Sequence, residues 1–441
     1  MKFNIDKYLF GFSILITFLS LHIGYGQNTE PISLDQAKAL AIQNNYELRI
    51  NQKSYAVAKA EQEQANAAFL PSLVLSNTSV STNNPLQAFG FKLLQESVTT
   101  EDFNPDKLND PGSQENFNTK IELIQPIFHL DGWKMKKAAK SKTEALELQN
   151  ERSKEYLQLE IEKAYMQLQL AYEQQEVIEK ALETGEVNLK ISKDQFDQGL
   201  IQFADVINVE VRFNEVKNDL LKAKSNVLNS SEYLAYLIGK EPNDILIPTE
   251  KLTMSEYPEP DSVKMSSDRK DLLAIEQNIT AQEQMLKSSQ YQFVPKASAM
   301  AHYEWNDNDF MGFNVSNYLV GLQLSWDVFD GGKTLGKVHR EKAMLEKNEL
   351  YKQNYLAQSE LELNKARRQM YDARDAVEIA ELAVEQSKES YRIVSNRFSQ
   401  GLEKTSDLLY AETQLQKQEL NHSQALFNYN YALSYLNFLT K

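Results

Sequence analysis

Two short segments of the chain combine residue types that could place charge at a turn. Phe196–Leu200 reads Phe-Asp-Gln-Gly-Leu and is followed by Asp205, and Phe398–Leu402 reads Phe-Ser-Gln-Gly-Leu and is followed, at the same spacing, by Asp407. Glycine readily ends a helix in the left-handed conformation, and a carboxylate in the first turn of the next helix is stabilised by the helix dipole. Each segment therefore predicts a turn between two helices.

The sequence contains no residue pattern that supports catalysis or metal binding. Gly332-Lys333-Thr334 ends like a phosphate-binding loop, but Asp327 stands where the first glycine is required. The histidines after the N-terminal segment are scattered, without an i, i+4 pair or a cysteine to complete a metal site; they are His129, His302, His339 and His422. We therefore predict that the protein is not an enzyme and uses no cofactor and no metal.

Composition narrows the classes of partner. The formal net charge of −15 argues against nucleic acid, because a polyanion would be repelled. The chain has no cysteine, which excludes disulfides, a thiol nucleophile and a lipid-modified N-terminal cysteine.

The N-terminus has the pattern of a secretory signal peptide. Lys2 and Lys7 precede an apolar run, Tyr8 to Leu21, and small residues follow up to Gly26, so residues 1–26 are predicted to be removed. No other stretch approaches about 18 consecutive apolar residues, so contact with a membrane would have to be made by strands.

The rest of the chain is an internal duplication. Residues 27–239 and 267–441 have the same order of patterns: a helix, two alternating runs and a very long amphipathic run. A period of about 200 residues is too long for a solenoid, so each copy is half of one molecule. Residues 240–266 contain four prolines and are predicted to be the linker.

Each copy is predicted to contain a helix followed by a β-hairpin. The first helix is predicted from Leu34 to Ala68, beginning at a capping box, and residues 84–116 are predicted to be a long loop within the first hairpin, 72–128. In the second hairpin, 295–329, four apolar residues alternate with polar ones; they are Leu322, Leu324, Trp326 and Val328. One such strand would fit an ordinary soluble sheet, but four with flanking aromatics are typical of membrane β-structure.

Two long helical hairpins complete the copies. All eleven prolines lie outside 127–241 and 296–441, and both stretches keep a heptad spacing typical of coiled coils. Gly199 and Gly401 interrupt them near the middle, which predicts hairpins over 132–239 and 332–439. One arm alone would be about 95 Å long at 1.5 Å per residue.

The signal peptide, the duplicated halves and the Phe-x-x-Gly turn with its aspartate together resemble the TolC family of outer-membrane efflux proteins. The resemblance implies an α+β membrane protein in which three protomers give four strands each to a twelve-stranded barrel, continued by a helical tunnel in the periplasm. Physical reasoning supports the oligomer, because four strands cannot close a barrel and an open sheet edge is not tolerated in lipid. The strand count thus requires several copies of the chain, and the resemblance implies that there are three.

The resemblance also implies a function and partners. It implies a passive exit duct of a tripartite efflux or type I secretion system, located in the outer membrane. Its partners would be outer-membrane lipid, a periplasmic adaptor (membrane fusion) protein that opens the duct, and an inner-membrane transporter of the RND or ABC type. The alternative is a periplasmic coiled-coil scaffold that never enters a membrane. The cargo, whether drug, metal or protein, stays open.

By the same resemblance, the two turns are the periplasmic tips of the duct. The residues expected to contact the adaptor are Phe196, Gly199, Leu200, Phe398, Gly401 and Leu402. The residues expected to form the gate are Asp407, Tyr410, Asp205 and Arg397. Tyr410 stands where a second aspartate is often found, which favours one acidic ring narrowed by an aromatic ring. Arg397 is Gln195 in the first copy, so the second copy is the better candidate for the inner, gating hairpin.

One departure lies between strand and helix in the first copy. Phe128–Gly132 resembles Phe329–Gly332 with two residues, His129 and Leu130, inserted between the phenylalanine and Asp-Gly, which predicts an irregular junction.

Overall fold

The computed structural model describes residues 29–241, 244–256 and 264–441, so the predicted signal peptide lies outside the described residues. The first copy contains β1 (Thr29–Ile32), α1 (Leu34–Asn44), α2 (Tyr46–Asn66), β2 (Ser72–Thr82), α3 (Pro85–Leu94), α4 (Pro105–Asn109), β3 (Gln114–Phe128), α5 (Leu130–Asp197) and α6 (Phe203–Leu237). The linker contains β4 (Ile245–Pro248). The second copy contains α7 (Lys270–Tyr291), β5 (Lys296–Asp307), β6 (Val315–Ser325), α8 (Lys333–Ser399) and α9 (Thr405–Thr440).

The chain forms two compact units, and each draws on both sequence copies. One unit comprises the described residues of Met1–Tyr46, Leu157–Pro260 and Ala366–Leu436 and contains both turns between the long helices. The other comprises the described residues of Glu47–Tyr156, Asp261–Lys365 and Asn437–Lys441 and contains the larger sheet. The compact units therefore divide the chain differently from the duplication.

The prediction of a single helix from Leu34 to Ala68 is wrong. The capping box at its start is present, with Gln36 N donating to Ser33 Oγ at 3.2 Å. Helix α1 ends at Asn45, whose ψ of 126° is extended. The Asn45 side chain is buried and donates to the Leu237 carbonyl oxygen at 2.9 Å. This contact with a residue distant in sequence interrupts a pattern that is locally helical.

The prediction of a loop over 84–116 is also wrong in part, because α3 and α4 form within it. Asn84 precedes Pro85, and its Oδ1 accepts from Leu86 N at 3.1 Å. Asn104 plays the same part before Pro105. Asn-Pro is usually a turn signal, but Asn at the N-cap and Pro at the first helical position also begin a helix.

A small parallel sheet, which was not predicted, joins the start of the first copy to the linker. Strand β1 pairs with β4, with Thr29 opposite Ile245. Tyr165 on α5 donates its hydroxyl to the Ile32 carbonyl oxygen at 3.2 Å, and Ser231 on α6 accepts from Leu246 N at 2.8 Å. Long helices of the first copy thus hold both strands through side chains.

The larger sheet has four antiparallel strands in the order β2-β3-β5-β6. Its register gathers apolar side chains on one face and polar ones on the other, since alternate residues point to opposite faces. Two successive rows of the apolar face are Leu75, Ile121, Tyr303, Tyr318 and Leu73, Leu123, Ala301, Val320, and a row of the polar face is Ser76, Lys120, Glu304, Asn317. Within the described residues, the outer edges of β2 and β6 have no partner strand.

The second hairpin ends earlier than predicted. Strand β6 stops at Ser325, so Trp326 and Val328 do not extend its apolar face. The Trp326 indole instead donates to the Phe293 carbonyl oxygen at 3.0 Å. Asp330 then caps α8 by accepting from Thr334 N at 2.8 Å.

The junction between β3 and α5 is irregular, as the two extra residues predict. The register against β5 shifts between Pro126 and Phe128. Asp131 is buried there, its carboxylate 2.6 Å from the Lys296 ammonium nitrogen and its carbonyl oxygen 2.9 Å from Ser288 Oγ. The first copy's junction is thereby fixed to the helix and strand of the second.

Candidate functional site: the paired helical turns

Both predicted turns are closed by the same glycine cap. Gly199 has φ +73° and Gly401 φ +71°, in the left-handed region. Leu200 N donates to the Gln195 carbonyl oxygen at 2.9 Å, and Leu402 N donates to that of Arg397 at 2.9 Å. This is the Schellman arrangement, in which glycine avoids the steric cost of a Cβ.

The first turn is exposed and capped by its aspartate. Phe196 packs on Phe203 with ring centroids 5.6 Å apart, and Leu200 is exposed. Asp205 lies in the first turn of α6, where its Oδ2 accepts from Gln202 N at 3.1 Å. Asp205 therefore stabilises the start of a helix, the simpler of its two predicted roles.

The second turn leaves its aspartate open to solvent. Asp407 and Tyr410 are exposed on α9, Tyr410 by 68%, and Leu402 is exposed beside them. Arg397 pairs across its own turn with Glu403, Nε to Oε2 at 2.9 Å. The ion pair of Arg397 thus stabilises the turn. The carboxylate of Asp407 and the phenol of Tyr410 are exposed and accessible to other molecules.

A buried hydrogen bond connects the two turns. Phe398 is only 1% exposed, and its carbonyl oxygen accepts from Gln195 Nε2 at 2.7 Å. Gln195 occupies the position of Arg397 in the duplication, so this difference between the copies has a structural role. The turn of the first copy is fastened to the turn of the second within one protomer.

Farther along the same helices, a carboxylate is buried between the two copies. Glu412 on α9 is 4% exposed, and its Oε2 accepts from Asn188 Nδ2 on α5 at 2.7 Å. The Arg212 guanidinium on α6 lies 3.7 Å from Oε1 and also hydrogen-bonds Gln416. Burial raises the pKa of the Glu412 carboxyl, and Asn188 and Arg212 only partly offset this effect.

The cluster around Glu412 was not predicted from the sequence. Glu210 and Glu412 occupy equivalent positions in the duplication, yet Glu210 is exposed. A usable signal was the spacing of Leu408, Glu412 and Gln416, which puts the carboxylate on the buried face of α9.

The buried carboxylate makes the packing around it sensitive to pH. Because the pKa of Glu412 is raised in the folded state, its stabilising contribution is complete below the ordinary value of 4.5 and is lost as pH rises through the folded-state pKa. We expect the protection factors of backbone amides in α5 and α9 near Asn188 and Glu412, which are corrected for the intrinsic effect of pH on exchange, to be higher at pH 5 than at pH 8. Glu412→Gln should remove that difference, whereas Glu210→Gln, the exposed equivalent, should retain it. Equal pH dependence in the two variants would contradict this role.

Neither a metal cluster nor a membrane-spanning helix occurs in the described part of the chain. Over 29–241, 244–256 and 264–441, no group of three or more His, Cys, Asp or Glu side chains is arranged to hold a metal ion. In the same ranges, no helix has the length and hydropathy needed to cross a membrane.

Comparison with known families decides the class of the protein. The sequence model of the outer membrane efflux protein family matches residues 39–240 and 263–440, most of the chain. The chain belongs to the outer membrane efflux protein family. The predicted resemblance is confirmed, and family membership implies a location in the outer membrane.

Individual relatives agree in fold. The outer membrane protein TolC of Vibrio cholerae is 23% identical over 236 residues, 51% of this chain and 53% of TolC, so the chain matches about half the length of this curated relative. The solved outer membrane protein VceC of Vibrio cholerae has a TM-score of 0.76 at 18% identity, with 92% of this chain and 96% of VceC covered. The CmeC outer membrane channel of Campylobacter jejuni gives a TM-score of 0.79 at 18% identity, with 92% of this chain and 85% of CmeC covered. The predicted fold class of helical hairpins and strands is therefore that of these outer-membrane proteins.

Proposed function

We propose that the protein is the outer-membrane exit duct of a tripartite efflux or type I secretion system. In this proposal residues 1–26 direct export as a signal peptide, and 27–239 and 267–441 form the two halves of each protomer. The duct is passive and is not an enzyme. An inner-membrane transporter of the RND or ABC type supplies the energy, and a periplasmic adaptor protein opens the duct.

The observation that carries the proposal is the two-faced sheet with two open edges. An apolar face four strands wide suits lipid, and the face bearing Lys120 and Glu304 suits water. Backbone groups at a sheet edge cannot stay unpaired in lipid, so β2 and β6 need strands from other copies. A homotrimer supplies twelve strands in one barrel, with the polar faces lining its lumen.

The helical turns form the periplasmic end of this duct. The exposed Leu200 and Leu402 give an adaptor apolar contacts, and the glycine caps at Gly199 and Gly401 hold the contact turns in one conformation. Asp407 and Tyr410, exposed on α9, face the axis and form an acidic ring beside an aromatic ring. The exposed Phe196 adds a contact for the adaptor, whereas the buried Phe398 supports its turn from inside. Asp205 and Arg397 stabilise the helix ends of the turns.

Single-channel recording in planar bilayers tests the gate. We expect the reconstituted trimer to conduct weakly and to be blocked by multivalent cations on the side of the helical turns. Asp407→Asn should relieve the block, because it removes the charge that binds the cation without changing side-chain size. Tyr410→Ala should raise the conductance, and Asp197→Asn, which neutralises an exposed carboxylate on the other turn, serves as the control.

Fractionation tests location and assembly. A detergent-extracted oligomer that resists dissociation supports the duct. Release of the protein with the soluble periplasmic fraction would favour the scaffold, in which the four strands form a small soluble sheet.

The conductance test has its own contrary outcome. If Asp407→Asn leaves the conductance and the cation block unchanged, Asp407 is not part of the gate, but the proposal of a duct still stands.

A further inference from the structure

Helix α3 lies at the end of the sheet that is farthest from the long helices. The chain passes between the sheet and the helices near Ser72, Phe128, Lys296 and Ser325, so the opposite end is marked by Thr82, Gln114, Asp307 and Val315. Helix α3 begins three residues after β2 ends there. In the proposed duct this end is the outer mouth.

Helix α3 is attached to the polar face of the sheet. Gln95, its C-cap residue, donates from Nε2 to Asn116 Oδ1 at 2.8 Å and to the Glu115 carbonyl oxygen at 2.8 Å. Asn116 is on the same face as Lys120, because both are even-numbered residues of β3. The register of the sheet thus assigns α3 to the side that lines the lumen.

Burial at the mouth agrees with this placement. Asn116 is 5% exposed and Asn306, its hydrogen-bond partner at 2.9 Å, is 0% exposed. Lower on the same face, the side chains of Lys120 and Glu122 are 29% and 34% exposed. The polar face is therefore covered at the mouth and open below it.

The adjoining side of α3 packs on the segment that contains Asp102 and Phe103. Ala88 is completely buried, and Phe89 meets Phe103 edge-on with ring centroids 5.7 Å apart. Lys92 Nζ lies 2.6 Å from Asp102 Oδ1, and Thr99 N donates to Asp102 Oδ2 at 2.7 Å. The segment is thus a folded unit whose orientation is fixed by charge-assisted and aromatic contacts.

The remaining face of α3 is apolar and exposed. Leu86 is 83% exposed, Leu93 56% and Leu94 39%. Gly90 lies between them at helical spacing, and a Cβ placed there would meet nothing within 4 Å. Leu86, Gly90, Leu93 and Leu94 form one continuous strip, here named the α3 strip, at the i, i+4, i+7, i+8 spacing of a helix-packing face.

We propose that the α3 strip packs against the same strip of the other two copies and constricts the outer mouth of the duct. This inference rests on the proposed trimer, in which the polar face turns α3 toward the axis. Helix α3 follows β2, whose open edge pairs with β6 of the neighbouring copy, so the strip continues that interface. On the axis, the molecules that can cover it are the two symmetry-related strips, and burial of leucine from water drives the contact.

The absence of cysteine allows a direct test. In outer membranes, Leu93→Cys should give a covalent dimer on oxidation, because the strips of neighbouring copies touch. Asn109→Cys, exposed on α4 outside the strip, is the matched control and should stay monomeric. A Leu93→Cys protein that reacts with a membrane-impermeant maleimide but forms no dimer overturns the proposal, since the strip then faces the exterior.

Conductance provides an independent readout. The double variant Leu86→Ser, Leu93→Ser should raise single-channel conductance, and the increase should persist when Asp407→Asn is added, because the two constrictions are formed by different helices, α3 and α9. A wild-type oligomer that conducts nothing overturns the proposed function and this inference with it. A conducting wild type whose strip variants neither cross-link nor change conductance overturns the inference alone.

Discussion

Leu322→Arg is expected to prevent stable insertion into the outer membrane, whereas Gln323→Arg, one residue later, leaves insertion intact. Leu322 is 79% exposed on the apolar face of β6, opposite Ala299, and Gln323 is on the polar face, opposite Ser298. Arginine on the lipid side of a barrel costs about 2–4 kcal/mol near the bilayer centre, and a trimer carries three copies of the change. The two variants add the same charge to opposite faces of one strand, so a difference between them reports which face of the sheet meets lipid.

The measurement is the amount of dissociation-resistant oligomer in washed outer membranes. We expect little or none for Leu322→Arg and a normal amount for Gln323→Arg, together with altered ion selectivity in bilayers, since the added charge lines the lumen. Equal insertion of the two variants would mean that the apolar face does not meet lipid.

A second large effect is expected from Gly239→Ala, which should lower the free energy of unfolding by about 2–5 kcal/mol, the sum of left-handed strain and overpacking. Gly239 follows α6 with φ +68°, and a Cβ there would approach Asn44 Cβ to 2.6 Å and the Asn44 carbonyl oxygen to 2.7 Å. Neither side can yield easily, because Asn44 ends α1 and its neighbour Asn45 is bonded to the Leu237 carbonyl oxygen.

The matched control for Gly239 is Gly199→Ala. Gly199 has φ +73°, but a Cβ placed there would meet nothing within 4 Å, so only the backbone strain of about 1–2 kcal/mol remains. Thermal loss of helical circular dichroism in detergent should place Gly239→Ala well below Gly199→Ala, and a variant that gives no folded protein while the control folds agrees with the same order. Similar melting temperatures would show that the contact with Asn44 relaxes.

Much of the architecture could be predicted because its causes are local. The heptad spacing of α5 and α8, the alternation in β3 and the glycine caps at Gly199 and Gly401 all depend on residues within a few positions of each other. The prediction of one helix was wrong at Asn45, because the side chain of Asn45 hydrogen-bonds to the Leu237 carbonyl oxygen, 192 residues away, at the point where the helix is interrupted. Local sequence reasoning also missed β1, because a four-residue strand forms through its partner β4.

At the candidate site, the limit of local sequence reasoning is shown by one pair of equivalent residues, Glu210 and Glu412. The turns, their glycines and the helix-capping role of Asp205 follow from residue type and spacing. The burial of Glu412 does not follow from its spacing from the glycine, since Glu210 has the same spacing in the first copy and is exposed. The difference comes from Asn188 and Arg212, which the packing of α5 and α6 brings to α9.

The order of strands in the sheet has a consequence for assembly. Strand β3 pairs with β5, and Asn116 and Asn306 across that pairing are 190 residues apart in the chain. Pairing of such distant segments is slow, because the entropy of closing the loop is lost before the contacts form. Until β5 pairs with β3, both outer edges of the first hairpin therefore lack a partner strand. An unpaired edge readily pairs with a wrong strand. We therefore expect delivery of the second hairpin, rather than formation of the first, to be the step at which a nascent protomer either completes its four-stranded sheet or aggregates.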